Sequence, residues 1–358
     1  MFGHGTGQRG RMGHPRAELA HPAVLLHAHG LQHLACRTAP AAVTRRALLR
    51  AGGQAALAGV LAGLLLPAAA ALSTAAAALP YREVAEGIFV RFGLHEEVTA
   101  DNCGAIANIG FIVGDASVAV VDSGTTQQQG LALRQAIADV TDKPISHLVA
   151  THVHFDHCFG HSAFADLPLR SIGHRNLPRA LAERGAFYVQ LLSGICPDFA
   201  GTVVVPPNET VEDRLDIDLG NRPLRLKAWP TAHTNTDLTV FDPSTGTLWA
   251  GDLLFDQRLP TLDGSLLGWL EVLDSLLAEE VRRVIPGHGA VSDGRAAITA
   301  QRRYLETLRD GVRQALADDL DIPATLARLG ADDLPDWQVV EDVHGRNIVS
   351  AYTELEWE

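Results

Sequence analysis

THVHFDHCFGH, residues 151–161, places four histidines and an aspartate within eleven residues, directly after the apolar run ISHLVA at 145–150. Histidine is a poor core filler, and imidazoles beside a carboxylate at the end of a buried strand are the donor chemistry of a transition-metal site. One segment cannot close such a site, so the remaining ligands must come from elsewhere in the chain.

The rest of the sequence limits what that site belongs to. The 358 residues are 47% hydrophobic and 20% charged, which is enough to bury a large core. Seven of the 29 basic residues and one of the 42 acidic ones precede residue 79, so the body holds 22 bases against 41 acids. Such a surface repels phosphate backbones, and nucleic acid is not expected as a partner.

The first 78 residues read as an address rather than a fold. Residues 44–50, TRRALLR, carry a twin-arginine pattern, followed by twelve apolar residues (55–66), the helix breaker Pro67 and small-residue cleavage sites at 68–78. Twelve apolar residues fall short of the ~20 that span a bilayer, so no stable membrane span is expected after cleavage. Residues 1–43, with six histidines in no periodic pattern, read as an extension ahead of a true start at Val43. The expected organisation is therefore an extension (1–43), a twin-arginine signal peptide (44–78) and one domain (79–358), with a periplasmic destination. Cys103, Cys158 and Cys196 remain in that domain, an odd number that allows one disulfide at most. Cys158, next to His157, reads as a buried neighbour rather than a ligand.

Strands are expected at 107–114, 117–124, 145–150, 223–231, 237–242, 247–252 and 281–289, and helices at 131–140, 175–195, 296–318 and 322–329. Four of these strands run into a candidate ligand. The 145–150 strand delivers His152, His154, Asp156 and His157; the others deliver His233, Asp252 and His288. Rigid sheet edges hold loop side chains in fixed geometry, so convergence is plausible. Five histidines and two carboxylates exceed the four ligands of one tetrahedral zinc, and two metals suit them better. His161 reads as a supporting residue or as core, while His95, His147, His174 and His344 read as structural. Phe155 and Trp269 are candidates for the pocket wall.

H-x-H-x-D-H at 152–157, His233 in AHTNTD, Asp252 in WAGDLLF and His288 in IPGHG resemble the metallo-β-lactamase superfamily. More narrowly, IANIGFIVGDASVAVVDSG, AHTNTDLTV and the terminal AYTELEWE resemble the quinoprotein relay system zinc metallohydrolases. The resemblance implies an α/β fold, the four-layer αββα sandwich. It implies a first metal on His152, His154 and His233, a second on Asp156, His157 and His288, and Asp252 bridging them. Two zinc ions are the implied cofactors, with iron or manganese as alternatives. Their bridging hydroxide would attack a carbonyl while Asp156 orients it or shuttles its proton.

The function expected is an exported dinuclear hydrolase acting on a small ester, thioester or lactone, with a periplasmic quinoprotein dehydrogenase system as partner. Two other classes compete. One is a mononuclear iron oxidoreductase of the persulfide-dioxygenase type, against which the seven-ligand set argues; the other is a non-catalytic accessory protein of a quinoprotein system. A β-lactamase is disfavoured, because subclasses of true lactamases place Cys or Ser where Asp252 stands.

Overall fold

Val118 to Val121 show how the layers arise. Val118 and Val120 pack against Leu133 and Ile137 of a neighbouring helix, while Ala119 and Val121 face Leu226, Val240 and Trp249 of a second sheet. All four residues are fully buried, so this strand is apolar on both faces, as a strand covered on both sides must be.

A computed structural model describes residues 80–358 apart from 280, 331–333, 335 and 336. The expected extension (1–43) and signal peptide (44–78) lie outside the described residues. The first sheet runs β1 (Tyr81–Ala85), β2 (Ile88–Arg91), β3 (Ile109–Val113), β4 (Val118–Val121), β5 (Ile145–Val149), β6 (Arg170–His174) and β7 (Glu209–Val211) in simple spatial order. Its first four strands are antiparallel meanders, and from β4 onward the pairing is parallel. The crossover from β4 to β5 is α1 (Gln127–Val140), started by the Thr126 side chain accepting from the Gln129 N–H at 3.2 Å. The crossover from β6 to β7 contains α3 (Leu177–Ile195), and the short α2 (Phe155–Cys158) lies inside the histidine-rich segment.

The second sheet has the order β12 (Arg283–His288), β11 (Thr247–Phe255), β10 (Leu238–Asp242), β9 (Pro223–Ala228), β8 (Arg214–Asp218). Its outer face is covered by α4 (Leu266–Ala278), α5 (Arg295–Ala317) and α7 (Val340–Leu355), which bury Trp269, Leu305 and Ile348 against Leu248 and Ala250. The short α6 (Ile322–Arg328) links α5 to α7. Helix, sheet, sheet, helix is the four-layer αββα sandwich that was expected. Strand β11 runs three residues past the expected end, carrying Asp252 inside regular structure. No helix of the described residues is long and apolar enough to cross a membrane.

One histidine ties the two sheets together. At the end of β6, His174 Nε2 donates to the Trp229 carbonyl just past β9 (3.2 Å), and its Nδ1 accepts from the Asn176 N–H (3.0 Å). The accepting contact needs the neutral ring, and burial, helped by Arg175, lowers its pKa to about 4. An unfolded histidine titrates near 6.5. Between those values acid protonates only the unfolded chain, so stability should fall as pH drops from about 6.5 to 4. Melting temperature against pH should slope less steeply over this window in His174→Gln; identical slopes would contradict the assignment.

Candidate metal centre

Three strand ends and one loop build the centre. Parallel pairing of β11 with β12 sets Gly251 against Pro286 and Phe255 against His288, which brings Asp252 beside Gly287 and His288. At Gly287 only glycine fits, because a Cβ there would collide with Asp252 Oδ1. The turn after β5 supplies His152 and His154, the short α2 supplies Asp156 and His157, and the loop after β9 supplies His233.

All seven expected residues are buried and come together in two adjoining groups. His152, His154, His233 and Asp252 form the first, and Asp156, His157 and His288 the second, each with its donor atoms within 4.8 Å of one another. Asp252 touches both. Its Oδ2 lies 3.3 Å from His233 Nε2, 3.7 Å from His152 Nε2 and 3.3 Å from His288 Nε2, while its Oδ1 lies 3.0 Å from His157 Nε2. Asp156 Oδ2 stands 3.5 Å from His288 Nε2 and 3.7 Å from His157 Nε2.

The partners on the outer side of each ring set its tautomer. His233 Nδ1 donates to the Thr261 carbonyl (2.7 Å) and His288 Nδ1 to the Ile106 carbonyl (2.8 Å). His157 Nδ1 donates to Asp122 Oδ2 (2.8 Å), and His154 Nε2 donates to Asp263 Oδ2 (3.0 Å). His152 Nδ1 faces the Thr151 hydroxyl (3.1 Å), which itself donates to Asp122 Oδ2 (2.8 Å) and so accepts from the ring. All five rings therefore turn a bare lone pair inward. His152 Nε2 and His233 Nε2 both sit 3.0 Å from His154 Nδ1, yet none of the three carries a hydrogen to share. Three acceptors around one point are repulsive unless a cation lies between them.

The electrostatics agree. Burial pushes Asp252 up, but His157, His288 and His152 outweigh it and hold the carboxyl well below its usual range. Burial opposes charge on His157, yet Asp252, Asp156 and Asp122 raise its pKa well above the imidazole range. Burial and the neighbouring rings lower His152 far below that range, and His233 to about 3. The carboxylates thus call for positive charge where His152 and His233 reject a proton. His157 Nε2 and Asp252 Oδ1 are buried and have no hydrogen-bond partner besides each other, 3.0 Å apart. Neutral imidazoles, carboxylates and orphaned inward atoms fit divalent metal.

Two supporting carboxylates escaped the sequence reading. Asp122, fully buried at the end of β4, accepts from the Thr151 N–H (2.8 Å) and hydroxyl as well as from His157. Its φ of +56° is a left-handed conformation that Asp tolerates better than most residues. Asp263 holds His154 while paired with Arg184 of α3. The signal for Asp122 was an aspartate closing an apolar strand in VVDSG. Asp122→Asn is expected to lower unfolding free energy by about 3 kcal/mol, because buried donors lose their charged acceptor. It should also weaken metal binding by about 10–100-fold, because His157 loses its orienting partner. Denaturant melts and metal titration of the variant check both, and unchanged values for the two would refute this role.

The remaining candidates sort clearly. Cys158 is buried, with its thiol toward the His154 carbonyl (3.3 Å), away from the two groups. His161 Nδ1 faces the Ser123 hydroxyl at 2.7 Å, and the Ser123 N–H donates to the His157 carbonyl, so it supports the histidine loop from behind. His147 packs beside Ser146 and Arg170, and His344 beside Tyr304, both in structural roles. Trp269 is fully buried behind the His233 ring (centroids 5.2 Å apart) and does not reach the pocket. Phe155 does line the cavity over the centre, with Phe255, His154, Asp156 and Asp252. That cavity is about 60 Å³, room for the reacting end of a small molecule.

A family model described as the metallo-beta-lactamase superfamily matches residues 104–288, more than half of the chain. No curated protein matches it. Among solved structures, a metallo-beta-lactamase from Pontibacter korlensis is similar over 64% of this chain and 99% of its own, at 16% identity and a TM-score of 0.53. The DIM-1 metallo-beta-lactamase is similar over 64% and 97%, at 18% identity and a TM-score of 0.51. A stereoselective inverting sec-alkylsulfatase from Pseudomonas sp. aligns with 77% of this chain at 16% identity and a TM-score of 0.59. The chain spans about half of that sulfatase's length. At such identities the likeness speaks for the fold, and together with the residues matched by the family model it leads to one conclusion: the chain belongs to the metallo-beta-lactamase superfamily.

Proposed function

We propose that the protein is a dinuclear zinc hydrolase of a small ester, thioester or lactone, exported to the periplasm by the twin-arginine route and serving a quinoprotein dehydrogenase system. The observation that carries the hydrolase reading is the Asp252 carboxylate. Its two oxygens lie against histidines of both donor groups, and it lines a cavity together with residues of both. His152, His154 and His233 would hold one ion, and Asp156, His157 and His288 the other. Such a pair supplies Lewis acidity and a water acidic enough to act near neutral pH.

The chain's own residues do the rest. Asp252 keeps the two donor groups together by placing negative charge between them. Asp156 turns Oδ2 toward His288 and His157, which leaves Oδ1 to orient a water in the cavity and take up its proton. Phe155 and Phe255 wall the cavity with apolar surface, which strengthens electrostatic interactions within it. The second donor group speaks against a mononuclear iron oxidoreductase, since a one-metal protein has no use for a second converging set.

Turnover of a thioester, lactone and aryl-ester panel, before and after chelation and on zinc restoration, separates enzyme from accessory protein. Hydrolysis that survives full chelation would sink the reading. Mass spectrometry of the mature amino terminus checks export, which places it between residues 68 and 78. Loss of growth on a quinoprotein-dependent substrate after deletion checks the proposed partner.

A further inference from the structure

Three charged side chains at the cavity rim have no part in holding metal. Arg258 follows β11, Arg346 sits on α7 and Glu97 lies in the loop after β2, and all three line the same cavity as His154, Asp156 and Asp252. Glu97 clasps both cations, with Oε1 2.8 Å from Arg258 Nη2 and Oε2 3.2 Å from Arg346 Nη2. Backbone pairing aims the arginines: Leu259 donates to Gln338 and Gln338 to Gln257, locking the start of α7 against the Arg258 loop.

Two guanidiniums line the rim with the Glu97 carboxylate, and the Asp342 carboxylate of α7, outside the cavity lining, also acts on both cations. The Arg258 side chain is only 5% exposed, and its Nε is buried without a hydrogen-bond partner. Arg346 spends Nε on the Asp342 carbonyl (2.7 Å) and Nη2 on Glu97, while no hydrogen bond engages its Nη1 among the described residues. Glu97 and Arg346 both fall outside the residues 104–288 matched by the family model, and Arg258 falls inside them, so the chain's flanking segments complete the arrangement. The Arg346 Nη1 donor is left over beside the cavity, on a protein whose body is otherwise strongly acidic.

We propose that Arg258 and Arg346, held by Glu97, form an anion-binding subsite that selects a carboxylate-bearing substrate, with its carboxylate at the rim and its scissile carbonyl over the metal centre. The proposal rests on the hydrolase reading for the identity of the reacting group. The rim's recognition of an anion stands on the arginines alone. Arg346 is a specificity residue in this scheme, and Glu97 a positioning residue.

The test uses metal-loaded full-length protein and Arg346→Gln, chosen because Arg346 is partly exposed while Arg258 is buried and tied to the Glu96 carbonyl. Two readouts run together: calorimetric binding of succinate, and kinetics on the mono-aryl ester of succinic acid beside its neutral methyl diester. The variant is expected to weaken succinate binding about tenfold and raise KM for the anionic ester by the same factor, the usual effect of losing one charge-assisted hydrogen bond. kcat, and all constants for the neutral ester, should stay within about twofold, and Arg346→Lys should recover part of the loss. Equal succinate affinity in wild type and Arg346→Gln overturns the subsite, whatever the kinetics. Arginine-dependent succinate binding with no turnover of either ester would leave the subsite standing and sink the hydrolase reading instead.

Discussion

Asp252→Asn is expected to bring hydrolysis below about 1% of wild type and to strip more than half of the bound metal. Even outlying partners of metal ligands cost about 10–100-fold when lost, and Asp252 stands among the ligands themselves. The amide keeps the shape of the side chain while removing the charge that faces both donor groups. Its Oδ2 lies against His233 of one group and His288 of the other, and its Oδ1 against His157, so both sites should weaken together rather than one alone. If Asp252 only ended the strand after TLWAG, the variant would lose a little stability and keep its metal.

His154→Ala should abolish measurable hydrolysis while the fold persists. His154 completes the triangle of lone pairs with His152 and His233, and its loss opens the first donor group. The side chain sits at the cavity wall, outside the apolar clusters that hold the layers together, so little packing is lost. Truncation also leaves Asp263 with Arg184 as its counter-ion, which avoids an uncompensated buried charge. Near-ultraviolet circular dichroism and melting temperature close to wild type, beside lost turnover, are the expected pair of results. Retained turnover would show that the first donor group is wrongly assigned.

The ligands were legible because their chemistry is concentrated. H-x-H-x-D-H packs four of them behind one apolar strand, and His233, Asp252 and His288 each follow or sit in a strand rich in Val, Ile, Leu or Trp. The αββα layering was legible through resemblance, and in part through strands such as VAVV that are apolar on both faces. Edge strands were harder. In β8, RLDID buries only Ile217 and carries three charges, and β7 is three residues long, so neither offers the period-two signal of a central strand. Helix α4 was missed because LLGWLEVLDSLLA is apolar around much of its circumference, which blurs the helical stripe. Asp122 and Asp263 look in sequence like ordinary turn aspartates beside Ser and Gly. Only the fold reveals that they face His157 and His154. Glu97, Arg258 and Arg346 are scattered over 250 positions and meet only when α7 docks beside the loop after β11.

The count of metal ions per chain tests the two-metal centre most directly. Elemental analysis of protein purified without chelator should give about two zinc ions per chain in the wild type, and fewer than one in Asp252→Asn at the same protein concentration. One ion in the wild type, or an unchanged count in the variant, would contradict a shared dinuclear site bridged by Asp252.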